Sequence, residues 1–500
     1  MTSRVRSGRW VGLAAALAVL GCGSDVNPQA GPSRSFPGVA LTVAAVGDPA
    51  AASAVRAWKT TWERDTKATL AIVEGAVEPT DLKGADVVIF AGDRLGDLVD
   101  AQALASLLDK DIRPPAPVGK EKPPADPLAF ADVLPPFREH VSKYGEDRIG
   151  LPLGGSGLVL IYRRDAFESQ ANKKAAEAAG LTLAPPKTWE DLDAIVAFFH
   201  AQTGQGIAVP FGKDEEGVGD AILIARAASS GLHPDHYALL FNPDTLEPRL
   251  ASPPFVFALE ALSKWKAFAP EKAETFDAEA ARAAFRGGKA TFLIDRAERA
   301  SKWTDPKTPL SVVVASLPGS KRVYEPGLKE WQELPSPNRV TYLLRGGGLL
   351  VGITSKGEAT NRAAALDFVK SLAGPETARL LLIEPDYPLI PDRNTQLSAG
   401  LPDRRSALSV DPQSWGVAVA QTLTAARVVP GLRIPRTDLY LAALTNARVA
   451  AISGTPAESA LADAAKAWSE ISAKLGVKRQ LWHYRRSLNT LITDSEPPAK

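Results

Sequence analysis

Leu151-Pro152-Leu153-Gly154-Gly155-Ser156-Gly157-Leu158-Val159-Leu160-Ile161-Tyr162 is the stretch whose reading decides the fold. A continuous apolar run of this length, bounded by turn residues, is a buried strand. Gly154, Gly155 and Gly157 mark a point where the backbone bends or where another group approaches closely. Taken alone, the run reads as a glycine bulge inside one domain or as a passage from one α/β lobe to a second. A run of the same type recurs at Tyr342-Leu-Leu-Arg345-Gly346-Gly347-Gly348-Leu-Leu-Val-Gly-Ile353. Two such runs favour a chain that crosses between lobes more than once.

Upstream, strands are expected at Val39–Val46, Ala68–Val73 and Asp86–Phe90, with an amphipathic helix through Val55, Trp58 and Trp62. Strands alternating with helices indicate a parallel α/β sheet. Ligands of such sheets lie beyond the carboxyl ends of the strands. Those loops hold Asp48 and the pair Asp93-Arg94. Arg113–Phe137 carries eight prolines and no period, which makes it an exposed loop.

Downstream, Thr188 and Asp191 form an acidic capping box ahead of Leu192, Ile195, Val196 and Phe199 at helical spacing. A helix runs to Gly231, and another, Ala280–Phe285, closes on Gly287-Gly288. Strands are expected at Ile207–Phe211, Ala290–Asp295 and Leu310–Leu317, followed by a polar insertion, Lys321–Arg339, that contains Tyr324 and Trp331. Asn361–Ala373 is helical. Thr455–Glu458 reads as a capping box for an amphipathic helix through Leu461, Trp468 and Leu475, stopped at Gly476. The polar, basic tail beyond it is expected to be frayed or packed.

Five hundred residues exceed what one core serves, so two or three domains are expected. The formal charge of +1 rests on Arg4, Arg6 and Arg9, without which the balance is slightly acidic. There is no electrostatic case for a nucleic-acid partner. Those arginines precede an apolar run, Trp10–Leu20, and then Gly21-Cys22-Gly23-Ser24, in the order of a secretory signal. Val19-Leu20-Gly21-Cys22 resembles the bacterial lipobox, in which the cysteine is lipidated and becomes the first residue. Cys22 is the sole cysteine, so it has no disulfide partner in the chain. Residues 1–21 are thus a signal peptide and 22–38 a flexible tether to a membrane surface.

No nucleotide P-loop and no nucleophile elbow occurs. The histidines, His140, His200, His233, His236 and His483, form no ligand pattern with carboxylates, so no metal is expected, even at the turn holding His233 and His236. The chain is built to bind and not to react, and no cofactor is implied.

These features carry a family likeness. Ala85–Gly96, Leu151–Asp165, Pro186-x-Thr188-Trp189-x-Asp191-Leu192, Phe285-x-Gly-Gly-Lys-Ala290 and Ser453–Leu461 resemble, in order, segments of the extracellular solute-binding proteins of ABC importers, family 1, the sugar-binding group that includes the maltose-binding type. The resemblance implies an α/β, two-lobed periplasmic-binding-protein fold with three hinge crossovers, closing on a small solute and delivering it to a membrane permease. Asp93 and Arg94 match its sugar-contacting pair, Asp48 lies in its ligand-facing first loop, and Ser156 stands where the maltose-binding type has a glutamate. Leu441 and Thr445 stand where that type has a stacking tryptophan and an arginine, so a maltodextrin site is not expected. Trp331, Arg345, Arg436 and Tyr440 are the substitutes named for the pocket.

The expected organisation is lobe I at 39–153 and 287–345, lobe II at 156–286 and 349–476, and an extension at 477–500. The hinge set is Gly154, Gly155, Gly157, Gly287, Gly288, Gly346, Gly347 and Gly348. The expected protein is a monomer anchored through Cys22 that partners ABC permease subunits and takes a carbohydrate. The alternatives are a sensor or scaffold of the same fold presenting ligand to a receptor, or a binder of a polyol, phosphosugar or polyamine.

Overall fold

The computed structural model describes residues 34–75, 82, 84–114, 126–234, 236–305, 307, 310–355, 357–382, 387, 389–398 and 410–490. The expected signal peptide, Cys22, most of the expected tether and the last ten residues lie outside them. Among the described residues no helix is long and apolar enough to cross a membrane.

The strands are β1 (Ala40–Val46), β2 (Thr69–Gly75), β3 (Val87–Ala91), the short pair β4 (Lys143–Tyr144) and β5 (Asp147–Arg148), β6 (Leu151–Arg163), β7 (Ile207–Ala208), β8 (Phe292–Arg296), β9 (Val312–Ser316), β10 (Ser320–Glu325), β11 (Glu330–Asn338), β12 (Val340–Ile353) and β13 (Arg427–Pro430). Nine of them form one curled sheet in the order β2-β1-β3-β12-β6-β8-β7, with β13 beside β12 and β9 beside β6. β1, β2 and β3 are parallel, as the alternation with helices requires. β12 runs antiparallel to both β3 and β6.

The two glycine-rich runs are the long strands β6 and β12, each continuous through both ends of the sheet. Leu151–Gly155 pairs with the part of β12 that joins β3, while Leu158–Arg163 pairs with β8 and β9. The register breaks between Leu343↔Gly157 and Gly348↔Gly155, so β12 bulges outward through Arg345-Gly346-Gly347. A Cβ on Gly346 would lie 2.2 Å from the backbone carbon of Gly92, which only a glycine permits.

Strand pairing divides the sheet differently from the expected lobe boundaries. Residues 287–345 belong with the second half of the sheet, because β8 and β9 pair with the far end of β6. β12 then carries the chain back toward β3, and the helix Arg362–Leu372 packs on the first helix, Pro49–Thr66, with Trp62 edge-on to Phe368 at 5.3 Å. Arg393 stays with this half, donating to the carbonyls of Leu128 and Ala129. The helix Pro412–Leu423 is on the other side, where Trp415 Nε1 donates to the carbonyl of Ala297 at 2.9 Å. Gly287-Gly288 therefore lies within the second half of the sheet and does not lead back to the first. Those two glycines end the helix Ala278–Arg286, with Gly287 N–H on the carbonyl of Ala283.

Smaller differences have local causes. The insertion Lys321–Arg339 is a hairpin, β10 with β11, pairing Tyr324 with Trp331. Thr455 caps nothing: Pro456 precedes the helix Ala457–Leu475 without a side-chain cap. Of the two expected states of the tail, its described part takes the packed one. Helix Val477–Ser487 follows directly and buries Gln480, Trp482, His483, Tyr484 and Ser487. His483 Nε2 and the Arg479 guanidinium meet Asp100 on one side of the molecule, and Tyr484 Oη accepts from Phe241 N–H on the other.

The glycines of β6 separate by a simple test. A Cβ on Gly155 would lie 2.4 Å from Phe137 Cζ, whereas a Cβ on Gly157 would meet nothing closer than 3.4 Å. Gly155→Ala is expected to lose about 1–3 kcal/mol by overpacking, and Gly157→Ala to stay within about 0.5 kcal/mol of the parent. Urea denaturation of the two variants checks this, and equal losses would rule out the Phe137 contact as the cause.

Candidate functional site

Three candidate ligand residues converge where β1, β3 and the β12 bulge end. The Gly47-Asp48-Pro49 turn makes Asp48 the N-cap of the first helix, Oδ1 accepting from Ala50 N–H at 2.8 Å. Its Oδ2 accepts from the Arg345 guanidinium at 2.5 Å. Arg345 has φ of 54°, a left-handed conformation that few non-glycine residues adopt. That conformation places Arg345 Nε 3.9 Å from Asp93 Oδ2. Asp93 lies on the 3-10 turn Gly92–Arg94 that directly follows β3.

Asp93 Oδ1 is buried without a hydrogen-bond partner. Burial pushes this carboxyl above its ordinary range, against the pull of Arg345 and Arg94. A buried polar atom without a partner is uncommon and needs a reason. Tyr342, on the β12 segment just before the bulge, is also buried. Its phenol is pushed upward first by that burial and then by Asp220 and Asp93, so it lies within electrostatic reach of both.

Arg94 and Arg436 meet beside this cluster. Arg94 lies 3.6 Å from Asp97, whose Oδ1 accepts from Arg436 N–H at 2.9 Å. The Arg436 guanidinium pairs with Asp438. Arg94, Asp97, Asp100, Arg436, Asp438 and Arg479 provide the charged lining of a cavity of about 500 Å³, and no aromatic side chain lines it among the described residues. Gly96 packs so closely on Ile434 and Pro435 that no side chain would fit there.

The other three candidates sit elsewhere. Ser156 is fully buried and donates to Glu298 Oε1 at 2.5 Å, so it is an interior group. Tyr440 is fully buried, hydrogen-bonded to Ser472 and edge-on to Trp468. Trp331 packs on the hairpin between Tyr324 and Phe257 and lines a separate surface hollow.

Sequence reasoning also missed a charged network. Glu216 accepts from Arg282 at 2.7 Å and from Arg299 at 3.1 Å, with Arg296 at 3.5 Å. Burial opposes its ionisation, but these arginines outweigh it and hold Glu216 down at about 2. Its partners lie 66 to 83 residues away, so no local spacing announces them.

Residues 59–399 match the family model of the bacterial extracellular solute-binding proteins. The chain belongs to that family. Two solved structures share the fold of this solute-binding protein. One is an ABC-transporter solute-binding protein from Agrobacterium radiobacter K84 in complex with ribitol, with a TM-score of 0.61 and 19% identity over 87% of this chain and 100% of that one. The other is maltose-bound MalE3 from T. maritima, with a TM-score of 0.59 and 17% identity over 87% and 100% of the two chains. No curated protein is detectably similar in sequence. The two-lobed, maltose-binding-like α/β fold expected from the sequence is the fold of this solute-binding protein.

Proposed function

We propose that this solute-binding protein is the lipid-anchored receptor of an ABC importer and takes a small hydroxyl-rich solute, a sugar or polyol, at Asp93. One observation carries the site: the buried Asp93 Oδ1 without a partner, beside the Arg345–Asp48 pair. A carboxylate is acceptor-only, and neighbouring hydroxyls of a polyol supply the donors it lacks. The charged walls of the adjoining cavity, with no aromatic ring, favour a short solute over an oligosaccharide that stacks along its length.

In this reading lobe I is 39–153 with 348–398, and lobe II is 156–343 with 410–476. β6 and β12 are two of the connections between them. Solute stabilises the closed arrangement by binding it better than the open one. The Val19–Cys22 motif supports the anchor, and family membership supports delivery to a permease.

Calorimetric titration with sugars, polyols, phosphosugars and polyamines tests the site, starting with ribitol and maltose, the compounds held by the two neighbours. A sugar or polyol is expected to bind, and Asp93→Ala to weaken it about 10- to 100-fold, the worth of a hydrogen bond to a charged group. Unchanged affinity in Asp93→Ala would move the site elsewhere.

A further inference from the structure

We infer that His233, His236 and Glu325 form a divalent-metal site, best suited to Zn²⁺, that fastens the β10–β11 hairpin to the end of the helix Val218–Gly231. One ligand atom from each of the three residues lies within 4.8 Å of the others. The two histidines come from a tight turn in which His236 N–H donates to the carbonyl of His233 at 2.9 Å, putting both rings on one side with centroids 5.8 Å apart. Glu325 arrives from the end of β10, 89 residues later than His236.

The two distances to the carboxylate are close to those of tetrahedral coordination. Zinc bonds of about 2.0–2.1 Å to nitrogen and oxygen place neighbouring ligand atoms about 3.3–3.4 Å apart. Glu325 Oε2 lies 3.3 Å from His233 Nδ1 and 3.0 Å from His236 Nε2. Small movements would admit an ion between them.

The surroundings supply what such a site needs. The second ring nitrogen of His233, Nε2, lies 3.3 Å from Gln332 Oε1 on β11, as metal-bound imidazoles usually have an acceptor on their other nitrogen. Glu325 Oε1 accepts from Gly327 N–H at 2.7 Å, which holds the carboxylate in place. The Arg427 guanidinium donates to the carbonyls of Leu232, His233 and Pro234, fixing the turn from behind. His233 is buried and the His236 side chain is 35% exposed, so a fourth, water-filled position would open outward. Two imidazoles and a carboxylate favour Zn²⁺ over Mg²⁺ or Ca²⁺, which prefer all-oxygen sets.

The full chain, solubilised in detergent and carrying no affinity tag, is stripped with a chelator and titrated with ZnCl₂ near neutral pH. Binding of one ion and a rise in melting temperature are expected, with MgCl₂ and CaCl₂ giving neither. Co²⁺ in place of Zn²⁺ should show the visible absorption of a tetrahedral site. His236→Ala and Glu325→Gln should abolish the one-ion isotherm, and Gln332→Ala, which keeps all three ligands, should weaken it about 10-fold. Metal-free melting curves show whether each variant folds. No Zn²⁺ binding by the parent, or binding unchanged in folded His236→Ala and Glu325→Gln, would overturn the assignment and leave an ordinary histidine–glutamate contact.

Discussion

Arg448→Ala is expected to lower the stability of the folded chain by about 3–5 kcal/mol, because it strips a buried carboxylate of its counter-ion. Arg448 is fully buried in the helix Thr437–Ile452. Its Nε donates to Asp220 Oδ1 at 2.6 Å, and its remaining nitrogens donate to the carbonyls of Phe211 at 2.9 Å and of Pro210 and Gly212 at 3.0 Å. Gly219 makes room for the guanidinium: a Cβ there would sit 2.6 Å from Arg448 Cζ. Removal leaves Asp220 with Thr445 as its one remaining hydrogen-bond donor among these groups. Urea denaturation measures the loss. The double change Arg448→Met with Asp220→Leu should recover much of it, since neither charge is then buried alone. A loss below about 1 kcal/mol in Arg448→Ala would show that water reaches Asp220.

Asp392→Asn is expected to act in the opposite direction, stabilising the protein at neutral pH by about 3 kcal/mol. Both carboxylate oxygens of Asp392 are buried without hydrogen-bond partners. Burial, only partly offset by Arg393, raises this carboxyl to about 6. The folded chain therefore holds a proton that the unfolded chain releases near pH 4. Stability is complete below about pH 4, falls as pH rises through about 6 and stays lower above it. Asparagine does not titrate, so the variant should lose this part of the pH dependence. Melting temperatures of both proteins from pH 4 to pH 8 decide the matter, and parallel curves would contradict it.

Much of the fold was legible because its signals are local. β1, β3, β8 and β9 are apolar runs between turn residues, and Thr188 with Asp191 forms the capping box that their spacing indicates. The way the strands divide the sheet was not legible, since Gly287-Gly288 at a helix end looks the same in sequence as a glycine pair at a crossing. Only the pairing of β8 with the far end of β6 tells them apart.

The candidate site divides in the same way. Asp48 and Asp93 follow strand ends and could be named from that position alone. Ser156 could not be judged, because its partner Glu298 is 142 residues away. The pair His233 and His236 was visible but lacked a third ligand until the hairpin brought Glu325 across.

The helix Val477–Ser487 has a consequence for the order of assembly. Asp100 finds its partners Arg479 and His483 only 379 and 383 residues later. Arg433, buried and with no carboxylate partner among the described residues, donates to the carbonyls of His140, Val141 and Lys143 and to that of Ser487. These early segments thus wait for the helix Val477–Ser487 before their polar groups are matched. A growing chain can form β1, β2 and β3 early, but these polar groups stay unmatched until residues 479–487 are in place. This helix closes what the first residues leave open, and a chain halted before residue 479 would be held in an unsealed, protease-sensitive form.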